Sequence, residues 1–471
     1  MDFGKLSDRI RRRMAAARVP NLALAVVRDG EAVFSEGYGV TSVEDERPIT
    51  PETLFRIGST TKPMVGVCVM RLVERGLLEL DTPVKRYVPW LKLSDHGAAN
   101  QITLRMLLSH TTGLPTEFRA VGPHNPAALE ASLREELPHY KIFTPPGLLW
   151  SYSNPGIRLA AHIAERAYGK LFPEMLREVI FDPLEMNWST CDPLEAMMHP
   201  LALPHCIVKS DQANKGTLQV EERFANNAAR LPAGGVISNV LEVARFAQML
   251  LGRGSWNGRT ILRPQSVDEL CRPQVRKYTP ENDFYGLTTE SAKRIGPGWI
   301  GHNGYSPPYR SRFIVNIEHG AAVSILFSDG EDFSIQGRAL EKHIGRRLVP
   351  VEREDAANTK ESGKESFDWS QFAGRFVGRD GTAAFIELSG DGAALRYDGD
   401  DYSLQVVGDD IFLCTEIGGR KRQILGLPPI AGHLGRYITI NSSPFRQQGY
   451  FEEKWQSLVA RVEQFQARFK S

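Results

Sequence analysis

The 471-residue chain carries almost no excess charge: 57 Lys and Arg stand against 56 Asp and Glu, a net charge of +1. That balance excludes the basic surplus of a nucleic-acid binder and leaves no strong field to steer the protein toward an anionic membrane. Long apolar runs are missing as well. Runs such as Leu22 to Val27 and Ala321 to Phe327 read as strands and fall short of the ~20 residues that span a bilayer. Arg-rich Arg9 to Arg13 is followed only by Met14 to Ala17 before Arg18 and Pro20, whereas a secretory leader needs about 7–15 apolar residues there. A cytoplasmic location is therefore expected. Cysteine is sparse and odd in number: Cys68, Cys191, Cys206, Cys271 and Cys414 are scattered. Without C-x-x-C or H-E-x-x-H there is no zinc-site pattern, and incidental free thiols are expected. One G-x-G-x-x-G match, Gly296 to Gly301, has no helix pattern after it and does not read as a dinucleotide site. P-loop and metal-ligand spacings are absent, so no cofactor is implied. The nucleophile elbow G-x-S-x-G is also absent, which argues against an α/β-hydrolase fold.

What is present suggests two to four domains, at roughly 100–200 residues each. Leu22 to Arg28 and Glu31 to Glu36 flank Asp29-Gly30, a strong hairpin signal. From Ser59 onward, Val65, Cys68, Val69, Leu72 and Val73 line one helical face, and Met64, Val67 and Met70 make the other side apolar too. This predicts a central, buried helix, with Gly76 placed to end it. Thr103 is expected to cap a helix over Leu104 to Ser109, Pro155 to open one that Gly169 ends, and Ser238 to cap one that Gly252 ends. Strand-like segments return at Gly298 to Gly301, Phe313 to Ile317 and Ala321 to Phe327. The pattern predicts a sheet built from both ends of residues 1–350, with a helical region inserted between. Residues 351–367 form a charged linker, with eight charged side chains between 352 and 366. Beyond it, Gly390, Gly399 and Gly408 recur nine residues apart, between alternating runs such as Ala384, Ile386, Leu388 and Tyr402, Leu404, Val406. That spacing predicts a small antiparallel barrel within 368–471. Trp455, Leu458, Val459, Val462, Phe465 and Phe469 close the chain as an amphipathic helix.

Three short pieces carry chemistry: Ser59-Thr60-Thr61-Lys62, Tyr152-Ser153-Asn154 and His302-Asn303-Gly304. Each has a bland reading when taken alone. S-x-x-K also describes a capping serine followed by a solvent-facing lysine, Tyr-x-Asn a loop tyrosine before a helix cap, and His-x-Gly recurs at His343 and His433. Position sharpens them. Ser59 sits at the start of the most apolar helix, where the positive end of the helix dipole favours an oxyanion. Spacing of three puts the Lys62 amine on the same face as the Ser59 hydroxyl, and Pro63 is tolerated in the first turn.

In order and spacing, the three pieces resemble the serine β-lactamase and penicillin-recognising family, in its class C-like branch of esterases, D-aminopeptidases and DD-peptidases. The stretches Ile102 to Leu114, Phe181-Asp182-Pro183-Leu184-Glu185-Met186 and Pro232-Ala233-Gly234-Gly235 look like hallmarks of the same enzymes, and the likeness covers roughly residues 18–350. It implies an α/β (α+β) fold, an antiparallel sheet with an inserted helical region, followed here by a lipocalin-like barrel. It also implies an acyl-enzyme at Ser59, with Lys62 and Tyr152 supplying the base. A Lys62 ammonium would lower the tyrosine pKa, and desolvation would lower that of Lys62. Asn154 would orient Lys62 and bond the substrate amide. The backbone N–H groups of Ser59 and Tyr305, which follows Gly304, would form the oxyanion hole. His302 stands where β-lactamases have lysine. Histidine is mostly neutral at pH 7, which points away from efficient β-lactam hydrolysis and toward aminopeptidase, amidase or esterase members. Glu185 replaces the usual glycine of its stretch.

The expected partner is a small-molecule or peptide acyl substrate, with no nucleic acid and no membrane. A homo-oligomer, a preference for D-residues, and a peptide-cyclising thioesterase of penicillin-binding-protein type are open alternatives. So are the polar loops Glu117 to Pro126 and Cys206 to Asn226 as specificity elements. From a different class, a non-catalytic scaffold would have no reason to retain Ser59, Lys62, Tyr152 and Asn154 together.

Overall fold

The computed structural model describes residues 1–350 except 117–122, 209–215, 222–226, 280, 282 and 329–332. It also describes residues 369–448 except 379–381, 390–391, 409–410, 417–421, 427–436 and 442. The expected linker over 351–367 and the C-terminal helix over 455–469 lie outside the described residues.

An antiparallel sheet of eight strands is built from both ends of the first 350 residues. Its strands are β1 (Asn21–Arg28), β2 (Glu31–Gly39), β3 (Val275–Arg276), β4 (Phe284–Tyr285), β5 (Glu290–Ser291), β6 (Trp299–Ser306), β7 (Tyr309–Asn316) and β8 (Ala321–Ser328), in the order β2-β1-β8-β7-β6-β5-β4-β3. The β1–β2 hairpin turns on Asp29 and Gly30, both at positive φ (54° and 79°), as a two-residue turn of this hand requires. β1 then runs against β8, from Leu22 opposite Phe327 to Val27 opposite Ala322. Both faces of the sheet are covered. Leu22, Leu24 and Val26 join one core with α1 (Phe3–Ala17) and α7 (Phe333–Leu348). Ala23, Ala25 and Val27 face the other core with the helical region. Coverage on both sides is why β1 and β8 read as continuous apolar runs rather than alternating ones.

The helical region between β2 and β3 includes α2 (Thr61–Glu74), α3 (Leu104–Leu108), α4 (Asn154–Tyr168), α5 (Leu231–Gly234) and α6 (Val240–Leu251). α2 is central, with every residue from Thr61 to Met70 buried. Gly76 follows its end at φ 69°, a conformation that costs glycine little. Thr103 caps α3 by accepting from the Met106 N–H, and Gly169 ends α4 at φ 84°. One cap differs from expectation. Asn239, not Ser238, caps α6, its side chain accepting from the Glu242 N–H at 2.9 Å. Ser238 is taken up instead by a short pairing with Phe55, and its hydroxyl meets that of Ser189 at 2.8 Å. The Cys206 to Asn226 stretch is not wholly irregular either: His205–Val208 pairs with Thr217–Val220.

Residues 374–447 form a closed barrel of eight strands in sequential order: β9 (Gly374–Gly378), β10 (Ala383–Ser389), β11 (Gly392–Tyr397), β12 (Asp400–Gly408), β13 (Ile411–Glu416), β14 (Arg422–Gly426), β15 (Tyr437–Ile440) and β16 (Ser443–Gln447). β9 pairs with β16 to close it, which leaves no free edge. Ala384, Ile386 and Tyr402 point into its core, whereas Leu388 lies exposed, so the sequence alternation is interrupted there. All five cysteines are free. Among the described residues, no helix is long and apolar enough to cross a membrane.

Candidate active site

Ser59 lies in a single 3₁₀ turn, Gly58–Thr60, that runs directly into α2. Two glycines bring this turn against β6. Gly58 has φ 51°, and a Cβ there would lie 2.7 Å from the Tyr305 nitrogen; a Cβ on Gly304 would lie 1.9 Å from the Ile57 carbonyl oxygen. Backbone therefore packs on backbone, with no room for a side chain at the crossing. The Ser311 hydroxyl on β7 fastens the turn by donating to the Ile57 carbonyl at 2.6 Å, and meets the Thr60 hydroxyl at 2.6 Å. Gly304→Ala should thus push β6 off the turn and cut any activity that depends on Ser59 on the order of 10²-fold. Steady-state kinetics alongside an unchanged circular dichroism spectrum checks this.

Lys62 is one turn further along and fully buried. Its Nζ lies 2.8 Å from Ser59 Oγ and donates to the Ala233 carbonyl of α5 at 2.6 Å. Burial pushes its pKa well below the ordinary lysine value, because the interior penalises the ammonium. Tyr152 comes from the segment before α4, and its hydroxyl donates to Ser59 Oγ at 2.8 Å. Its pKa is raised, not lowered as the sequence suggested. Burial is the main cause, and the Ser59 hydrogen bond offsets only part of it. Tyr152 is therefore a neutral phenol at physiological pH, and Lys62 the group shifted toward its free base. The structure corrects a second expectation. Asn154 does not hold Lys62; its Nδ2 donates to the Thr116 carbonyl at 3.0 Å, while its side chain lines the cavity beside Ser59.

His302 on β6 is buried and faces the same cavity. Its Nδ1 lies 2.7 Å from the Asn303 carbonyl oxygen, and its Nε2 2.9 Å from the Tyr285 hydroxyl. A carbonyl only accepts, so this network assigns the proton to Nδ1 and leaves Nε2 to accept from Tyr285. Burial, opposed in part by Glu290, lowers the His302 pKa to about 4. His302 is thus uncharged at neutral pH. Nearby, Glu290 accepts from Lys277 Nζ at 2.6 Å and from Asn303 Nδ2 at 3.0 Å. Burial pulls its pKa up, but Lys277 and the other cations prevail and hold it at about 2.

Ser59 lines two cavities. One, of about 350 Å³, includes Trp150, Tyr152, Tyr285, His302 and Tyr305; the other, of about 70 Å³, includes Arg56, Arg230 and Leu231. A serine oxygen flanked by an amine and a phenol, with open space beside it, is suited to acyl transfer. Among the described residues, no cluster of three His, Cys, Asp or Glu could hold a metal.

Several residues at the site were not singled out from the sequence. Ala233 lies within a quoted hallmark stretch, but its part is played by a backbone carbonyl. His110, in another such stretch, packs its ring 4.4 Å from that of Tyr152 and accepts from the Ser153 N–H at 3.1 Å. Tyr285, Lys277 and Glu290 sit on or beside strands of two residues, too short to show any periodicity.

The chain is 30% identical over 265 residues to penicillin-binding protein 4 of Amycolatopsis lactamdurans, covering 55% of this chain and 66% of the relative. It is 26% identical over 370 residues to the unguisins hydrolase ungD' of Aspergillus campestris, covering 75% of this chain and 65% of that protein. The chain thus spans just under two thirds of the length of both relatives. Among solved structures, SurE with D-Leu shares the fold at a TM-score of 0.69 and 19% identity, over 94% of this chain and 99% of that one. The family model for Beta-lactamase matches residues 6–343, and the chain belongs to the Beta-lactamase family.

Proposed function

We propose that the protein is a serine hydrolase or acyltransferase that forms an acyl-enzyme at Ser59 from a peptide-like ester or amide. The observation that carries this reading is the convergence of Lys62 Nζ and the Tyr152 hydroxyl on Ser59 Oγ, each at 2.8 Å. The chemistry follows from the charge states. In the neutral form that burial favours, the Lys62 amine takes the Ser59 proton as Oγ attacks the acyl carbon. The resulting oxyanion is held by the backbone N–H groups of Ser59 and Tyr305, donors of a kind worth about 3–4 kcal/mol each. As the tetrahedral intermediate collapses, the phenol of Tyr152 protonates the leaving group. Water, or an amine acceptor, then releases the acyl group by the reverse sequence. The neutral His302 supports esters, amides and peptides over β-lactams, since no permanent cation stands at that position.

The test is intact-mass analysis after brief exposure to a penicillin, p-nitrophenyl butyrate, D- and L-alanine amides and a peptidyl thioester. A Ser59 adduct, or consumption of a donor, is expected with at least one of the last four. D- over L-alanine amide would mark a D-aminopeptidase or amidase, the arm motivated by the D-Leu of the SurE structure. Fast butyrate turnover with no stereopreference would mark an esterase. Ring release from the thioester would mark a cyclase. Unconsumed substrates throughout would sink the hydrolase reading in favour of a scaffold.

A further inference from the structure

The barrel does not stand apart from the site. Tyr437 on β15 joins Leu149 and Tyr278 in one buried cluster, with Leu148 packed against it. A Cβ on Gly426 of β14 would lie 2.6 Å from the Tyr278 Cβ, so the barrel backbone rests directly on that side chain. Arg446 on β16 lies 5.7 Å over the Phe143 ring. Both contacted segments lead into the cavity wall. Leu149 precedes Trp150. Tyr278 follows Lys277, whose Nζ lies 4.7 Å over the Trp150 ring and 2.6 Å from Glu290. Tyr278 also holds φ 53°, a left-handed conformation that non-glycine residues rarely adopt unless their surroundings impose it.

We propose that the C-terminal barrel braces this wall: Tyr437 and Gly426 clamp Leu149 and Tyr278, and so hold Trp150 and the Lys277–Glu290 pair in place beside Ser59. The brace rests on reading the 350 Å³ cavity as the acyl-donor site. Tyr437 is a positioning residue, since it acts through Tyr278 and Leu149 and lines neither cavity. Bulky acyl groups, which must reach the Trp150 wall, depend on it more than an acetyl group does.

The experiment compares full-length wild type with Tyr437→Ala, Tyr437→Phe and Gly426→Ala. One readout is the KM for p-nitrophenyl phenylacetate relative to that for p-nitrophenyl acetate. The other is amide hydrogen exchange over residues 148–153 and 276–279, which needs no turnover. Tyr437→Ala and Gly426→Ala are expected to raise the KM ratio about 3- to 30-fold, a size typical of mutations that act through packed neighbours. They should also speed exchange in both segments. Tyr437→Phe keeps the ring and should behave as wild type. Wild-type ratios and exchange in both disruptive variants would overturn the brace. Arg446→Ala replaces any variant that fails to fold. A wild type that neither turns over these esters nor labels at Ser59 refutes the hydrolase reading instead, and the exchange data still decide the brace.

Discussion

Ser59→Ala should abolish the covalent adduct and lower kcat for the preferred donor on the order of 10⁴-fold or more, the scale seen when a serine nucleophile that works with its base is removed. The reason is local. Ser59 Oγ is the one atom on which both the Lys62 amine and the Tyr152 phenol converge, so its loss leaves two polarising groups with nothing to polarise. KM should change far less, because alanine preserves the cavity walls. The fold should persist too. Among the described residues, the Ser59 hydroxyl bonds only to those two site residues, while the turn itself is tied down by Ser311 and by the Gly58–Gly304 crossing. A rival mechanism exists in which Lys62 activates water directly and no acyl-enzyme forms. It predicts that Ser59→Ala keeps a substantial fraction of kcat and that the wild type never shows an adduct, even when quenched within a single turnover. Rapid-quench mass spectrometry on both proteins separates the two.

How much of this was legible in the sequence depends on the range of the interaction. The S-x-x-K spacing already placed Lys62 over Ser59, because one helical turn is a local constraint. Apolar periodicity marked α2 as central, and two covered faces explain the unbroken runs of β1 and β8. Long-range partners were legible only through the resemblance to a family, which brought Tyr152 and His302 to Ser59 from 93 and 243 positions away. Finer contacts were not legible. Asn154 was expected on Lys62, yet the acceptor there is the Ala233 carbonyl, a backbone group no side-chain motif encodes. The tyrosine shift was misjudged in sign because a sequence shows a lysine near the phenol but not the depth of burial, which raises the tyrosine and shifts Lys62 itself toward its neutral form. The α6 cap was off by one residue for a similar reason, since Ser238 and Asn239 both have capping side chains and only the pairing of Ser238 with Phe55 decides between them.

Lys62→Met should lose activity and gain stability together. As the base, Lys62 contributes on the order of 10²–10⁴-fold, and Lys62→Arg should not restore it, because a guanidinium does not give up its proton. The wild-type kcat/KM should rise with pH as Lys62 loses its proton and fall as pH drops through the folded-state pKa. No alkaline fall from Tyr152 is expected in the usual assay range, since its pKa is raised. The stability effect follows from the same shift. Between the lowered folded-state pKa of Lys62 and its ordinary value of 10.5, the unfolded chain binds a proton that the native state does not. Wild-type stability therefore rises with pH across that window. Methionine removes the titration and fills the same space with apolar atoms, at the cost of leaving the Ala233 carbonyl without its donor. The Tm of Lys62→Met should exceed that of wild type most at the low end of the window, with the difference shrinking toward pH 10.5. A Tm difference that is flat with pH, or that grows toward alkaline pH, would mean that Lys62 is protonated in the folded protein, and the proton acceptor for Ser59 would have to be sought elsewhere. A difference that shrinks as expected marks the buried amine as a stability cost, retained where the proposed acyl transfer needs an uncharged base.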